Sequence, residues 1–197
     1  MIVDAARARL DELLAAQLGG ERIEDLDART LAGKAMYRAE RKAPLAAAVL
    51  FEAAAQRAHQ AGDRTRWIEC RVRAGTHYAE AGESARAMPI LRECISAHLE
   101  HPHHRDAHMV EWCFTCLLRD ARDAETFRAL FAEAIRTCDA VGRVGFPKIH
   151  PHQEELLEKA HALGCVDEER DVAQKLAHRR PLSRPLRARL KALGHPV

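Results

Sequence analysis

The stretch of sequence that decides the fold is residues 62–91, GDRTRWIECRVRAGTHYAEAGESARAMPIL. Successive residues of an α-helix are about 100° apart, so apolar residues at intervals of three and four share one face. Plotted in this way, the residues between Gly62 and Gly82 form two apolar faces. One face contains Trp67, Cys70, Ala74, Tyr78 and Ala81, and the other contains Ile68, Val72, Gly75 and Ala79. A helix with two apolar faces has two packing partners, so this stretch predicts an interior helix of a helical stack.

The turn glycines recur at an even spacing. Gly62 and Gly82 are 20 residues apart, and Gly142 and Gly164 are 22 residues apart. Even spacing of helices and turns is typical of repeat proteins, in which each unit buries its apolar face only by stacking on its neighbours. The rhythm therefore extends the predicted stack beyond the deciding stretch.

The motif Gly75-Thr76-His77-Tyr78, followed by Gly82, Ala87 and Leu91, resembles the signature of the tetratricopeptide repeat. The resemblance covers one repeat. It implies that Gly75 allows a close approach of the partner helix, that Tyr78 fills the space between hairpins, and that Ala87 lies where two helices cross closely. It also implies an all-α superhelix of stacked antiparallel hairpins, whose groove binds a peptide or a partner protein.

Helical periodicity continues along nearly the whole chain, and no segment alternates with the two-residue period of a strand. In the second predicted helix, for example, the apolar stripe consists of Leu31, Ala35, Met36 and Ala39. Ser84 and Asp123 are predicted helix N-caps. The other predicted helices cover residues 2–14, 45–61, 65–81, 84–98, 107–117, 127–141, 156–163, 172–176 and 186–193. We predict one domain over residues 1–197, with a regular stack over about 1–142 and shorter basic helices over 151–197.

The composition restricts the class of protein. A chain that is 47% hydrophobic and 30% charged is typical of a soluble globular protein, and a net charge of +2 does not by itself indicate a polyanionic partner. No segment approaches the roughly 18 apolar residues of a membrane helix, and the N-terminus lacks the apolar core of a signal peptide. We therefore expect a cytoplasmic protein without membrane contact, in which six cysteines are reduced thiols.

A histidine-rich segment, residues 98–111, is a candidate metal site. His104, His108 and Glu111 have the i, i+4, i+7 spacing that projects three ligands from one side of a helix. Cys113 and Cys116 lie well round the same helix, so one ion cannot reach both sets. The alternative is a solvated histidine-rich turn beside small buried thiols, and we favour it, predicting no metal and no cofactor.

Two further features each have two interpretations. The C-terminal cations could bind phosphates, or they could form the polar side of an amphipathic capping helix whose apolar side is Leu186, Leu190 and Leu193. The irregular segment 142–151 could be a functional loop, or Phe146 and Ile149 could plug the end of the stack. The candidate anion-binding residues are Arg179, Arg180, Arg184, Arg187, Arg189 and Lys191.

The sequence contains no phosphate-binding loop, no zinc-protease motif and no nucleophile elbow. We therefore predict a non-catalytic scaffold that binds a protein or peptide partner, such as a bacterial regulatory adaptor or a toxin-neutralising protein. A nucleic acid is the less favoured partner. The candidate partner-binding residues are Arg38, Arg71, His77 and Trp112, because arginine and tryptophan are common binding anchors.

Overall fold

The computed structural model describes residues 2–100, 107–148, 150–177 and 184–194. Within these ranges all regular structure is helical, so the all-α prediction is confirmed. The chain divides into two compact units, Met1–His101 and Pro102–Val197. The single domain over residues 1–197 stays a prediction.

The first unit is built from helices joined by short turns, and α2, with 13 residues, is shorter than the others. Consecutive helices from α2 to α5 are joined by three-residue turns, and α3, α4 and α5 are each 17 residues long. Helix plus turn therefore repeats every 20 residues over this part of the unit. The helices are α1 (Ile2–Leu18), α2 (Ala28–Glu40), α3 (Pro44–Gln60), α4 (Arg64–Glu80) and α5 (Ser84–Glu100), with a short 3-10 turn at Ile23–Asp25.

The turns end the helices by a common device. At the end of α3, Gly62 adopts a φ of +70°, and the Asp63 amide then donates to the Ala58 carbonyl at 2.9 Å. This arrangement provides hydrogen-bond donors for the last carbonyls of the helix, and the left-handed φ at this position favours glycine. The same arrangement recurs at Gly82, Gly142 and Gly164, and Lys42 occupies the equivalent position after α2 with a φ of +56°.

Helix α4 packs between α3 and α5, as its two apolar faces predicted. Tyr78 is fully buried in the core that α4 shares with α3, and Ala87 on α5 is equally buried. Gly75 lies against α5, where a Cβ atom would be only 2.8 Å from Cδ2 of Leu91. The expectation that Gly75 allows a close approach of the next helix is therefore confirmed.

The second unit contains α6 (Ala107–Asp120), α7 (Ala124–Ala140), α8 (His150–Ala162), α9 (Val166–Ala177) and α10 (Arg184–Ala192). Helix α6 packs on α7 and α8, and α8 packs on α9. Asp123 caps α7 as predicted, because its carboxylate accepts from the Thr126 amide at 2.7 Å. Ser84, in contrast, begins α5 instead of capping it.

Helices α8 and α9 are longer than the sequence predicted. Their first turns are polar, so the apolar periodicity starts only after the helix has begun. In α9 the first turn carries Asp167, Glu168 and Glu169, and carboxylates at this end are stabilised by the positive end of the helix dipole. Apolar periodicity therefore misses the beginning of such a helix.

The irregular segment after α7 is held inside the second unit by Phe146. The ring of Phe146 is fully buried, with its centroid 5.7 Å from the ring of Phe131 and 6.5 Å from the ring of Phe114. The burial of Phe146 agrees with the plug interpretation, while the stack whose end it would plug stays a prediction. Ile149 lies outside the described residues.

Glu111 on α6 clamps both ends of this segment. The carboxylate is 1% exposed and accepts from the backbone amide of Lys148 and from the guanidinium of Arg143, each at 2.5 Å. The carbonyl of Pro147 also accepts from Gln153 Nε2 at 2.7 Å. Because a buried carboxylate is costly without partners, the Glu111 contacts tie the segment to α6, and the Gln153 contact ties it to α8.

The two glycines within helices predict opposite effects on stability. Gly75→Ala should lower the free energy of unfolding by about 1–3 kcal/mol, because the new methyl group overlaps Leu91. Gly33→Ala should raise it by up to about 1 kcal/mol, because its Cβ meets nothing within 4 Å and alanine favours helix. Urea unfolding of both variants measures the difference, and changes of the same sign would contradict this packing.

Glu111→Gln tests the clamp on segment 142–148. The variant keeps the shape of the side chain but loses its charge, so we expect a loss of about 1–3 kcal/mol in unfolding free energy. Opening of the segment should also increase the alkylation rate of Cys138, a buried thiol whose pKa is raised by its burial to about 12. Mass spectrometry after brief N-ethylmaleimide treatment measures this rate. Glu125→Gln, at an exposed position of α7, is the control and should leave the alkylation rate of Cys138 unchanged. The same unchanged rate in Glu111→Gln would show that Glu111 does not hold the segment.

Candidate partner-binding surface

One face of α2 is apolar yet exposed to solvent. The opposite face buries Leu31 and Ala35 against α3, while Met36 and Tyr37 are 39% and 47% exposed. Gly33 precedes these two residues by one helical turn, so all three share one side of the helix. Met36 was assigned to the apolar stripe of α2, but it does not share the buried side of the helix with Leu31 and Ala35. A single exposed apolar residue is ordinary, but two adjacent ones beside a glycine form a small apolar surface.

Cations surround the exposed tyrosine. The guanidinium carbon of Arg41 is 4.4 Å from the Tyr37 ring centroid, and that of Arg38 is 5.6 Å from it. Both distances are within cation–π range. Among the described residues no carboxylate pairs with Arg38, Arg41 or Lys42. The segment 36–42 contains three cations and one carboxylate, Glu40, so this end of α2 is positively charged.

The surface continues from α2 onto α4 through Arg73. Its guanidinium contacts the Met36 sulfur, with Nη1 3.4 Å from Sδ, and lies 5.8 Å from the ring centroid of buried Phe51. Arg73 also pairs with Glu69 at 3.3 Å, which neutralises its charge locally. Arg73 therefore connects the exposed faces of α2 and α4, which are separated along the chain by α3.

A depression of about 280 Å³ lies beside this junction. One wall is His77, whose ring stacks on Phe51 with centroids 5.6 Å apart and planes 10° apart. The imidazole Nδ1 is also 2.7 Å from a carboxylate oxygen of Glu80. These contacts fix the orientation of the wall. The depression is lined by Ala39, Lys42, Pro44, His77 and Glu80.

We call the exposed side of α2, together with Arg73 and this depression, the α2 surface; its members include Gly33, Met36, Tyr37, Arg38, Ala39, Glu40, Arg41, Lys42, Pro44, Arg73, His77 and Glu80.

A charged network on α3, α4 and α5 holds these three helices together. The Glu52 carboxylate accepts from the Tyr78 hydroxyl at 2.7 Å and from Arg86 at 2.8 Å. Arg71 lies 3.5 Å from the same carboxylate and also pairs with Glu93. Because Arg71 is engaged on both sides, its interactions are internal to the unit.

The predicted partner-binding residues of the first unit are therefore not collected in one place. Arg38 and His77 belong to the α2 surface, whereas Arg71 belongs to the Glu52 network. Trp112 is half-buried on α6, in the second unit. Sequence reasoning missed Gly33, Tyr37, Arg41 and Lys42. The sequence did contain a signal for this surface, because Gly33 is a residue that disfavours helix and yet lies in the middle of a predicted helix.

The predicted anion-binding residues are partly engaged. Arg184, Arg187 and Lys191 are exposed on α10, while Arg189 pairs with Glu158 on α8 at 3.0 Å. Leu186 and Leu190 are buried, as expected of an amphipathic helix. Arg179 and Arg180 lie outside the described residues.

The histidine-rich segment does not form a ligand cluster within the part of the chain that the structure describes. Glu111 is occupied by Arg143 and by the Lys148 amide, and His108 is half-buried on α6. His104 lies outside the described residues.

The cysteine thiols are not accessible to a metal ion. All six cysteines are buried, and burial raises the pKa of Cys70 to about 11.

Comparisons of the chain with protein-family models, with curated proteins and with solved structures found no match. The tetratricopeptide resemblance therefore stays a prediction. None of the helices in the described ranges combines the length and the hydropathy needed to cross a bilayer.

Tyr78 predicts a pH dependence of stability. Burial, reinforced by the hydrogen bond to Glu52, raises the pKa of Tyr78 above its ordinary value. The folded state thus holds the phenolic proton more tightly than the unfolded state does. The Tyr78 contribution to stability is fully present below about pH 10 and is lost as the pH rises above it.

Tyr78→Phe removes both the hydroxyl and this titration. At pH 7 we expect the unfolding free energy of the variant to be about 1–2 kcal/mol lower than that of the unaltered protein. Between pH 9 and about pH 11 we expect the unfolding free energy to fall less steeply with pH in the variant than in the unaltered protein. Urea titrations at these pH values provide the comparison. Parallel declines in both proteins would refute the assignment of the proton to Tyr78.

Proposed function

We propose that the chain is a non-catalytic scaffold, a tetratricopeptide-like stack of helical hairpins that binds a segment of a partner protein on the α2 surface. The observation that carries this proposal is the exposed Met36–Tyr37 pair beside three cations that have no carboxylate partner within the described part of the chain. Aromatic residues and arginine dominate the binding energy of protein interfaces. An exposed cluster of these types on a rigid helix is therefore suited to binding.

The architecture supports the same proposal. The 20-residue rhythm of α3, α4 and α5 is regular, and α4 contacts both of its neighbours. Stacks of this kind present extended surfaces that bind peptides and proteins. The charged network around Glu52 links α3 and α4, which lie beside α2, to α5, and helices that are already held in place lower the ordering cost of binding.

Site-specific photo-crosslinking in living cells tests the proposal. Tyr37→p-benzoylphenylalanine places a crosslinker of similar shape on the α2 surface, and Gln56→p-benzoylphenylalanine places the same group on the exposed side of α3. We expect one defined adduct from position 37 and none from position 56. The adduct should disappear when Arg38→Glu and Arg41→Glu are added.

Mass spectrometry of the adduct identifies the crosslinked protein. Absence of an adduct at position 37, or equal adducts at both positions, would exclude the α2 surface as the place where a partner binds.

A further inference from the structure

We propose that the segment bound by the α2 surface is acidic and carries an apolar anchor, and that its main chain lies directly over Gly33. This inference rests on the proposed function, because it specifies the chemistry of the partner at the same surface. Three independent features of the surface support it: a glycine without an internal role, an apolar pair and an excess of positive charge.

Gly33 has no structural reason to be glycine. It lies inside α2, where glycine is among the least favourable residues, and its backbone is not left-handed. A Cβ atom at this position would meet nothing within 4 Å, so alanine fits the unbound fold. What glycine does provide is space on the exposed side of the helix. A missing side chain allows another backbone to approach closely, which points to a partner main chain at this position.

The apolar pair lies one turn farther along the same side. Tyr37 offers a large ring with few rotatable bonds, so little conformational entropy is lost when it is buried. Met36 is unbranched and adapts its shape to different apolar groups. A partner chain that crosses Gly33 therefore meets two apolar side chains, and the neighbouring depression offers room for its anchor.

The charge of the surface selects an acidic partner. Arg38, Arg41 and Lys42 have no carboxylate partner among the described residues, and Glu40 is the one acid in the same stretch. Carboxylates of the partner would complete these cations. Opposite charges also steer association and fix the register of the bound segment.

A protein segment fits better than a nucleic acid. Carboxylates border the cations on both helices, namely Glu40 on α2 and Glu69 and Glu80 on α4. A continuous phosphate backbone would be repelled by them, whereas a peptide can place its few carboxylates selectively. Single-stranded nucleic acid also favours several aromatic platforms in succession. Tyr37 is the one exposed aromatic side chain of this surface.

Selection from a displayed library of random 16-residue peptides provides the probe. The library is panned on the full chain at low salt and counter-selected on the Tyr37→Ala, Arg41→Glu double variant. We expect the recovered peptides to be enriched in Asp and Glu around one aromatic or large aliphatic residue. Binding of a synthetic copy should weaken as salt is added, because exposed charges are screened.

Substitutions then locate the recovered peptide. Gly33→Ala should weaken its binding by about tenfold or more while raising thermal stability, and this opposition of sign distinguishes a binding glycine from a structural one. Arg41→Glu should weaken binding by at least about tenfold, and Glu40→Lys should strengthen it. Gln56→Ala on α3 is the matched control and should leave binding unchanged.

The outcomes separate this inference from the function on which it rests. Neutral or basic peptides, unchanged binding in Gly33→Ala, or a 20-nucleotide RNA that binds more tightly at the same residues would each overturn the inference. So would a library that yields no peptide. A defined adduct at position 37 would still leave the scaffold function standing in those cases, whereas absence of that adduct removes the function itself.

Discussion

The first unit depends on the close approach of α4 to α5 at Gly75. Leu91 fills the space that a side chain at position 75 would occupy, so the Leu91 side chain packs directly against the backbone of α4. This contact fixes one side of α4, and the buried Tyr78 fixes the other side against α3. A helix restrained on both sides can project its remaining side chains only outward, and two of these, Arg73 and His77, belong to the α2 surface.

Polar contacts in both units are used to restrain the fold. Glu52 links Tyr78 and Arg86 across three helices, and Glu111 ties the segment after α7 to α6. Both carboxylates are at least half-buried, where a hydrogen bond to a charged group contributes more than it does in water. Because these acids and their arginines neutralise one another, they offer little net charge to a ligand. The cations near Tyr37 differ in this respect, and this difference is the reason why we propose the α2 surface as a binding site.

The sequence predicted the helices and the core of α4 because both depend on local periodicity. Gly75 and Tyr78 could be assigned to the two faces of α4 from their positions alone. Met36 was assigned to the same stripe as Ala35, because the two adjoin in an apolar run and only the position of α3 decides which of them is buried. The role of Glu111 could not be predicted, since its partners Arg143 and Lys148 follow 32 and 37 residues later. Such contacts depend on tertiary packing, and a helical wheel contains no information about them.

The central claim is that the apolar side of α2 is open in the free protein and covered in the cell. Hydroxyl-radical footprinting, performed on purified protein and in living cells, measures this directly through oxidation of Met36 and Tyr37. Buried Tyr78 and Met109 serve as internal references, since both are protected by the fold. The account predicts rapid oxidation of Met36 and Tyr37 in the purified protein and clear protection of both in cells, relative to these references. Equal oxidation in the two settings would contradict it.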